Sequence, residues 1–131
     1  MLEMKTGSCL CGGVRYTVSG PLRPVVACHC NQCRKTSGHY VAATQCAADD
    51  LAIEGYALNW YRSSEHAERG FCSVCGSNLF WRRFDTSYVS IFAGTIDGAT
   101  GLTIESQLYP ESKGDYYDLP DVPVRDQATL A

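Results

Sequence analysis

The sequence has no apolar run near the roughly 20 residues that a membrane-spanning helix needs, so we expect no membrane partner. It also has little charge. Only 19% of its 131 residues are charged, which argues against a disordered tail protein or a long coiled coil. The net charge of −3 argues against a generic basic patch for nucleic acid. Residues 1–7 hold no apolar signal core, and we therefore expect a cytoplasmic protein.

Helical signals are also scarce, whereas short runs of β-branched and aromatic residues recur along the chain. This spacing predicts an all-β fold, a sandwich or an open barrel, formed by a single domain over residues 1–131. The predicted strands are 14–18, 24–28, 39–45, 57–61, 78–83, 88–93 and 103–109. Helical turns are expected only at 31–36 and 49–52.

Cysteine is abundant, with eight residues, and seven of them fall in C-x-C or C-x-x-C groups. A disulfide joins separated parts of a chain, whereas cysteines two or three apart turn their sulfurs toward a common centre. With no export signal, metal binding is favoured over a disulfide framework or a set of buried free thiols. The seven clustered thiols predict two zinc ions per chain.

The first and last groups supply Cys9 and Cys11, then Cys72 and Cys75. In an extended segment, residues i and i+2 share a face, so we expect the first pair to reach one ion. The last group has the spacing of a zinc-ribbon knuckle. Four thiolates around zinc make a closed, structural site, which would join the first strand to a late hairpin.

The middle group supplies Cys28, Cys30 and Cys33, with no fourth ligand adjacent. Three protein ligands and an open position are typical of catalytic zinc. The alternative is a second closed site, completed by Cys46 or a histidine. We expect Cys46 to be a buried thiol and no ligand. His29, on a strand between two ligands, would face away from the metal and pack or hydrogen-bond outside it.

An open zinc site predicts thiol chemistry, because zinc lowers the pKa of a bound thiol or polarises a carbonyl. The basic pair Arg34–Lys35 follows the middle group and is either solvated surface or a site for an anionic substrate. His29, His39 and nearby tyrosines are candidate general bases.

Three motifs in this order resemble one family: G-x-C-x-C-G-G-V-x-Y at 7–16, C-H-C-x-x-C at 28–33 and F-C-x-x-C-G-S at 71–77. Phe92–Asp97 and Tyr116–Asp118 continue the resemblance, which covers about residues 5–120. The chain is similar to the glutathione-dependent formaldehyde-activating enzymes, a family that also includes centromere protein V.

This resemblance implies two packed antiparallel sheets with short helical turns and two zinc ions. It implies a structural zinc on Cys9, Cys11, Cys72 and Cys75 and a second zinc, where the chemistry occurs, on Cys28, Cys30 and Cys33. The implied activity is that of a carbon–sulfur lyase that interconverts glutathione, formaldehyde and S-hydroxymethylglutathione. Tyr116–Tyr117 stands where relatives often have Trp followed by Tyr, which leaves the substrate open. The rival interpretations are a zinc-stabilised binding module and a thiol redox sensor.

Overall fold

The structure, a computed structural model, describes residues 4–127. Over this range it has ten strands, one α-helix and three short 3-10 helices. The strands are β1 (Lys5–Ser8), β2 (Val14–Val18), β3 (Val25–Cys28), β4 (Val41–Ala47), β5 (Leu51–Gly55), β6 (Leu58–Arg62), β7 (Ala67–Cys72), β8 (Asn78–Arg83), β9 (Tyr88–Phe92) and β10 (Ile104–Leu108). The α-helix is α1 (Asn31–Ser37), and the 3-10 helices are Ala48–Asp50, Ala93–Thr95 and Pro110–Ser112. No helix in this range is long and apolar enough to cross a bilayer.

The strands form two sheets, which confirms the all-β prediction. One sheet has three strands in the order β1-β2-β5, and the other has seven in the order β10-β3-β4-β9-β8-β7-β6. Seven of the eight strand pairs are antiparallel, but β10 pairs with β3 in parallel. The expectation of purely antiparallel sheets is therefore wrong at this edge. Parallel neighbouring strands need a long crossover connection, and here residues 29–103 form it.

The core lies between the two sheets. In β2 the side chains of Val14, Tyr16 and Val18 are buried at alternate positions, as expected for a strand with one face on a core. The Tyr16 ring meets the edge of Phe80 from the large sheet at 5.3 Å between centroids. The large sheet therefore has one face against the small sheet, and its other face is free to build a site.

All seven predicted strands are found within a few residues, and the helical turn expected at 31–36 is α1. Three strands were not predicted: β1, β5 and β7. The helical turn expected at 49–52 is wrong in its second half, because the 3-10 helix ends at Asp50 and β5 begins at Leu51. β5 and β7 contain Ala, Glu and Gly, which are depleted in strands, so only their sheet neighbours determine their conformation.

Candidate metal centres and an adjoining cavity

The fold brings Cys9, Cys11, Cys72 and Cys75 together, and we refer to them as the four-cysteine cluster. Their sulfurs all lie within 4.8 Å of one another. Two sulfur–sulfur distances, Cys9 to Cys11 and Cys11 to Cys72, are both 3.7 Å. A tetrahedral zinc with bonds of about 2.3 Å separates its sulfurs by about 3.8 Å. The donor set and its spacing therefore fit a closed zinc site.

Backbone turns, rather than an extended strand, bring these four cysteines together. The expected extended path through Cys9 and Cys11 is wrong, because these residues lie in the turn between β1 and β2. Gly12 and Gly76 adopt the left-handed φ values of 83° and 79° that let the chain reverse around the sulfurs. The amide of Val14 donates to the Cys9 sulfur at 3.2 Å. Such N–H donors stabilise thiolates, the form in which cysteine binds metal.

Ser77 adds a further donor at the exposed side of the four-cysteine cluster. Its hydroxyl lies 3.2 Å from the Cys75 sulfur. Hydrogen bonds from the hydroxyl and then the amide of Ser77 lower the pKa of Cys75 to about 5. Cys75 is therefore a ready anionic ligand at neutral pH.

Cys28, Cys30 and Cys33 form the three-cysteine cluster, with their sulfurs also within 4.8 Å of one another. Cys28 ends β3, Cys30 is the N-cap of α1, and Cys33 lies in its first turn. The Cys33 amide donates to the Cys30 sulfur at 3.3 Å, so one contact both caps the helix and orients a ligand. Within residues 4–127 no other Cys, His, Asp or Glu joins this group. The cluster can thus hold a metal ion with three protein ligands.

The three thiols do not share one pKa. Hydrogen bonds from the thiols of Cys28 and then Cys33 hold the pKa of Cys30 far below its ordinary value. The pKa of Cys28 is correspondingly raised, chiefly by its interaction with the Cys30 and Cys33 side chains. Cys30 therefore carries negative charge first and is the natural anchor for a cation.

Cys46 lies apart from both clusters, on the core face of β4. It is 2% exposed and packs in the core between the sheets, with Val89 opposite it in β9. Burial raises the pKa of its thiol to about 11. Neighbouring residues of β4 point to the other face of the sheet, toward the cavity described below. Cys46 and the three-cysteine cluster are thus on opposite faces of one sheet, which disfavours a closed site through Cys46.

His29 does not turn toward the sulfurs. Its ring is 0% exposed, and Nδ1 lies 2.6 Å from the Tyr117 hydroxyl. Nε2 lies 3.0 Å from the side-chain oxygen of Gln107 in β10. Burial lowers the pKa of His29. The side chain therefore joins the strand that carries Cys28 to the late segment, in the packing role expected from the sequence.

A cavity of about 560 Å³ opens beside the three-cysteine cluster. Cys28, Cys30 and Cys33 all line this cavity. The floor is the free face of the large sheet, with alternate side chains of β4, β7, β8 and β9. Arg23, Arg69, Arg83 and Tyr109 are among the other lining residues. A concave, mixed polar and apolar space at a metal-competent cluster is where a small ligand binds.

Arg69 of β7 is the buried charge of this cavity. It is 5% exposed, and its Nη2 donates to the side-chain oxygen of Gln32 at 2.9 Å and to the Cys33 sulfur at 3.6 Å. No carboxylate pairs with it among the residues that the structure describes. Since a buried guanidinium needs a counter-charge, the cysteine thiolates are its natural partner.

Several sequence candidates lie outside this cavity. Neither Arg34–Lys35 nor His39 lines it, and His39 is exposed beside the Tyr116 hydroxyl at 3.3 Å. No local sequence signal marks Arg23 or Arg69, because neither lies next to a cysteine group. Tyr109 does have a local signal in the sequence, because it precedes Pro110 and a residue before proline has a restricted backbone. It has a left-handed backbone with φ 54°, a strained state of the kind that clusters at functional sites.

Comparison with known proteins places these features in a family. The model of the family described as glutathione-dependent formaldehyde-activating enzyme matches residues 4–112. An uncharacterized lyase of Schizosaccharomyces pombe is 28% identical over 86% of this chain and 82% of its own length. A protein of Halomonas elongata, named for glutathione-dependent formaldehyde activation, is 36% identical over 70% of this chain. This chain spans 64% of that relative's length.

A solved structure shows the same fold. The crystal structure of a Rhodobacter sphaeroides protein superposes with a TM-score of 0.61 and 23% identity. The match covers 92% of this chain and 99% of the other. With the family model matched over most of its length, this chain belongs to the glutathione-dependent formaldehyde-activating enzyme family.

Proposed function

We propose that this chain is a zinc enzyme of the carbon–sulfur lyase type, which joins a small thiol to an aldehyde or releases it from the adduct. One observation carries the proposal. Three cysteines with converging sulfurs line a cavity of about 560 Å³, and no fourth protein ligand joins them within residues 4–127. The names of the two relatives, a lyase and a formaldehyde-activating enzyme, support the same reaction class. Glutathione and formaldehyde are the proposed substrate pair.

The four-cysteine cluster has a different proposed role. It is fit for a closed zinc, and its Cys72 is 0% exposed. Cys9 and Cys11 follow β1, while Cys72 ends β7, so an ion here would join the small sheet to the large one. We assign it to stability and assign the chemistry to the three-cysteine cluster.

The reaction balances without an oxidant or a reductant. The thiol sulfur adds to the carbonyl carbon, the carbon–oxygen π bond breaks, and the thiol proton is delivered to the oxygen. Zinc, when bound by Cys28, Cys30 and Cys33, lowers the pKa of the substrate thiol and so makes the sulfur nucleophilic at neutral pH. The reverse reaction cleaves the same carbon–sulfur bond and returns the proton to sulfur.

The chain's own residues prepare the cavity for this step. Arg69 places a positive charge at the Cys33 sulfur and so offsets the negative charge that accumulates when a further thiolate approaches. Gln32, from α1, holds the guanidinium in place by accepting from Nε at 3.2 Å and from Nη2 at 2.9 Å. The helix therefore positions both the ligand Cys33 and the group that faces it.

Tyr109 supplies a proton-bearing group to the same cavity. It follows β10, lines the cavity, and donates its hydroxyl to the side-chain oxygen of Gln127 at 2.9 Å. Burial, and then the negative charge of Cys28 and Cys30, raises the pKa of Tyr109. The phenol therefore stays protonated at neutral pH, and its single proton can turn from Gln127 to a carbonyl oxygen as charge develops there.

The test is the rate at which labelled formaldehyde exchanges with S-hydroxymethylglutathione at equilibrium, followed by exchange NMR. Zinc-loaded protein is expected to raise this rate above the spontaneous one, and Cys30→Ser is expected to abolish the increase. Serine retains the N-cap acceptor, so this variant removes the thiolate and leaves the helix start intact.

Cys46→Ala is the matched control, because it removes a thiol from the opposite face of the same sheet. It should retain the full increase in exchange. An equal increase in Cys30→Ser and wild type, or none in the zinc-loaded wild type, would contradict the proposed function.

A further inference from the structure

The cavity floor carries a row of side chains, polar except for Trp81, that crosses four neighbouring strands. Arg69 faces Trp81, Trp81 faces Ser90, and Ser90 faces Gln45, so these side chains occupy one register line from β7 to β4. Arg23 continues the line, since its Nη1 donates to the Gln45 side-chain oxygen at 3.2 Å. A guanidinium thus stands at each end of the row, and only Arg69 adjoins the three-cysteine cluster.

The charges of the arginines that line the cavity are not equally compensated. Arg83 forms a two-pronged ion pair with Asp85 at 2.9 and 3.0 Å. Arg69 has the Cys33 sulfur. Arg23 has only neutral acceptors, and no carboxylate lies within ion-pair distance of it among residues 4–127. Asp85 is the one carboxylate among the described lining residues, so the cavity holds an excess of positive charge at Arg23.

Arg23 also has hydrogen-bonding capacity left over. Nε donates to the Pro24 carbonyl at 3.3 Å, Nη1 to Gln45 at 3.2 Å, and Nη2 to the Ala43 carbonyl at 3.2 Å. A guanidinium has five N–H groups, so one remains on each terminal nitrogen. Two parallel N–H groups are the fork that binds a carboxylate. Burial lowers the pKa of Arg23 to about 10, which still leaves it charged at neutral pH.

The position of Arg23 sets the size of the ligand. Its guanidinium contacts Ala43, which faces Val26 across the β3–β4 pair. Val26 and Cys28 both line the cavity, and two residues of strand advance about 7 Å. The guanidinium also contacts Gln45, which lies two residues further from Cys28 along β4. A ligand whose sulfur is at the three-cysteine cluster would therefore reach Arg23 with a group about 7 to 14 Å away along the floor.

A second cavity, of about 350 Å³, also borders Arg23 but does not suit an anion. Asp50 is among its lining residues, and a carboxylate there repels negative charge. The larger cavity is thus the side from which Arg23 can receive an anionic group.

We propose that Arg23 is a carboxylate-binding subsite of the large cavity, which selects thiols that carry a carboxylate about 7 to 14 Å from the sulfur. This inference rests on the proposed function, because it takes the three-cysteine cluster as the position of the thiol. It adds the residue that distinguishes an anionic thiol from a neutral one.

The experiment compares two ligands of equal sulfur chemistry, glutathione and its diethyl ester. Both are titrated into cobalt-substituted protein, and dissociation constants are taken from the cobalt–thiolate absorption. Wild type is expected to bind glutathione about 10- to 100-fold more tightly than the ester, the range of a charge-assisted contact. Arg23→Met is expected to bring this ratio close to one and leave the affinity for the ester unchanged.

Two further variants complete the test. Arg23→Lys keeps the charge without the fork and should retain an intermediate ratio. Arg82→Met removes a positive charge from the other face of β8, where it stacks on Trp60, and should keep the wild-type ratio.

The failures are distinguishable. A wild-type ratio near one, or an unchanged ratio in Arg23→Met and Arg23→Lys, overturns the subsite. In either case the proposed function stands, because the thiols still bind to the cobalt-substituted protein. Absence of any thiol binding to the wild type overturns the proposed function and the subsite with it.

Discussion

Cys72→Ser is expected to unfold most of the domain at ordinary temperature. Cys72 is fully buried and supplies one of four sulfurs that fit a closed zinc site between the two sheets. Zinc bound to such a site contributes about 10–16 kcal/mol of folding free energy. A domain of this size has a net stability of only about 5–15 kcal/mol. Loss of the zinc site therefore removes a free energy as large as the whole net stability of the domain.

The measurement is the thermal unfolding midpoint together with the zinc content, and Cys30→Ser is the comparison. Cys30 lies at a helix start beside the cavity, and serine preserves its capping contact. We expect Cys30→Ser to keep a cooperative transition near that of the wild type and to lose one of two zinc ions. Equal destabilisation of the two variants would contradict the division into a structural and a chemical centre.

Arg69→Met is expected to weaken metal binding at the three-cysteine cluster by about 10- to 100-fold, the usual effect of losing an outer partner of a metal ligand. The side chain is buried and donates to the Cys33 sulfur. Its removal leaves the negative charge of the thiolates without a nearby cation and leaves the Gln32 oxygen without its donor. Competition with a zinc chelator measures the affinity of each site separately.

Two further variants test whether the effect comes from the charge of Arg69. Arg69→Lys retains the charge and should recover part of the affinity. Arg82→Met removes an arginine from the neighbouring strand, on the opposite face, and should leave both sites unchanged. If Arg69→Met holds two zinc ions as tightly as the wild type, Arg69 has no role in charge compensation at the cluster.

The cysteine clusters could be predicted from the sequence because their information is local. Cys72 and Cys75 are three residues apart, and a single turn with Gly76 brings both sulfurs to one point. Cys28, Cys30 and Cys33 lie within six residues, so the start of one helix assembles them. Only the pairing of the first group with the last required the fold, and four-coordinate zinc already favoured it.

The cavity could not be predicted in the same way. Arg23 and Arg69 lie 46 positions apart in the chain and are related only through the register of β7, β8, β9 and β4. β7 itself was missed, because Glu68, Arg69 and Gly70 interrupt any apolar alternation. The basic pair that the sequence offered beside Cys33, Arg34–Lys35, was open to either interpretation, solvated surface or an anion site, and it lies outside the cavity in space. Cysteines that are close in sequence indicate the metal site, whereas the residues that line the substrate cavity are determined by which strands pair in the sheet.

The central claim is that one of two metal centres is open to a thiol. Visible absorption of cobalt-substituted protein during titration with glutathione tests it most directly. We predict two cobalt ions per chain and a saturable change at one of them, while the four-cysteine site stays constant. Cys46→Ala should behave identically, since Cys46 lies in the core between the sheets. Two four-thiolate spectra that glutathione leaves unchanged, or loss of one cobalt ion in Cys46→Ala, would contradict the account.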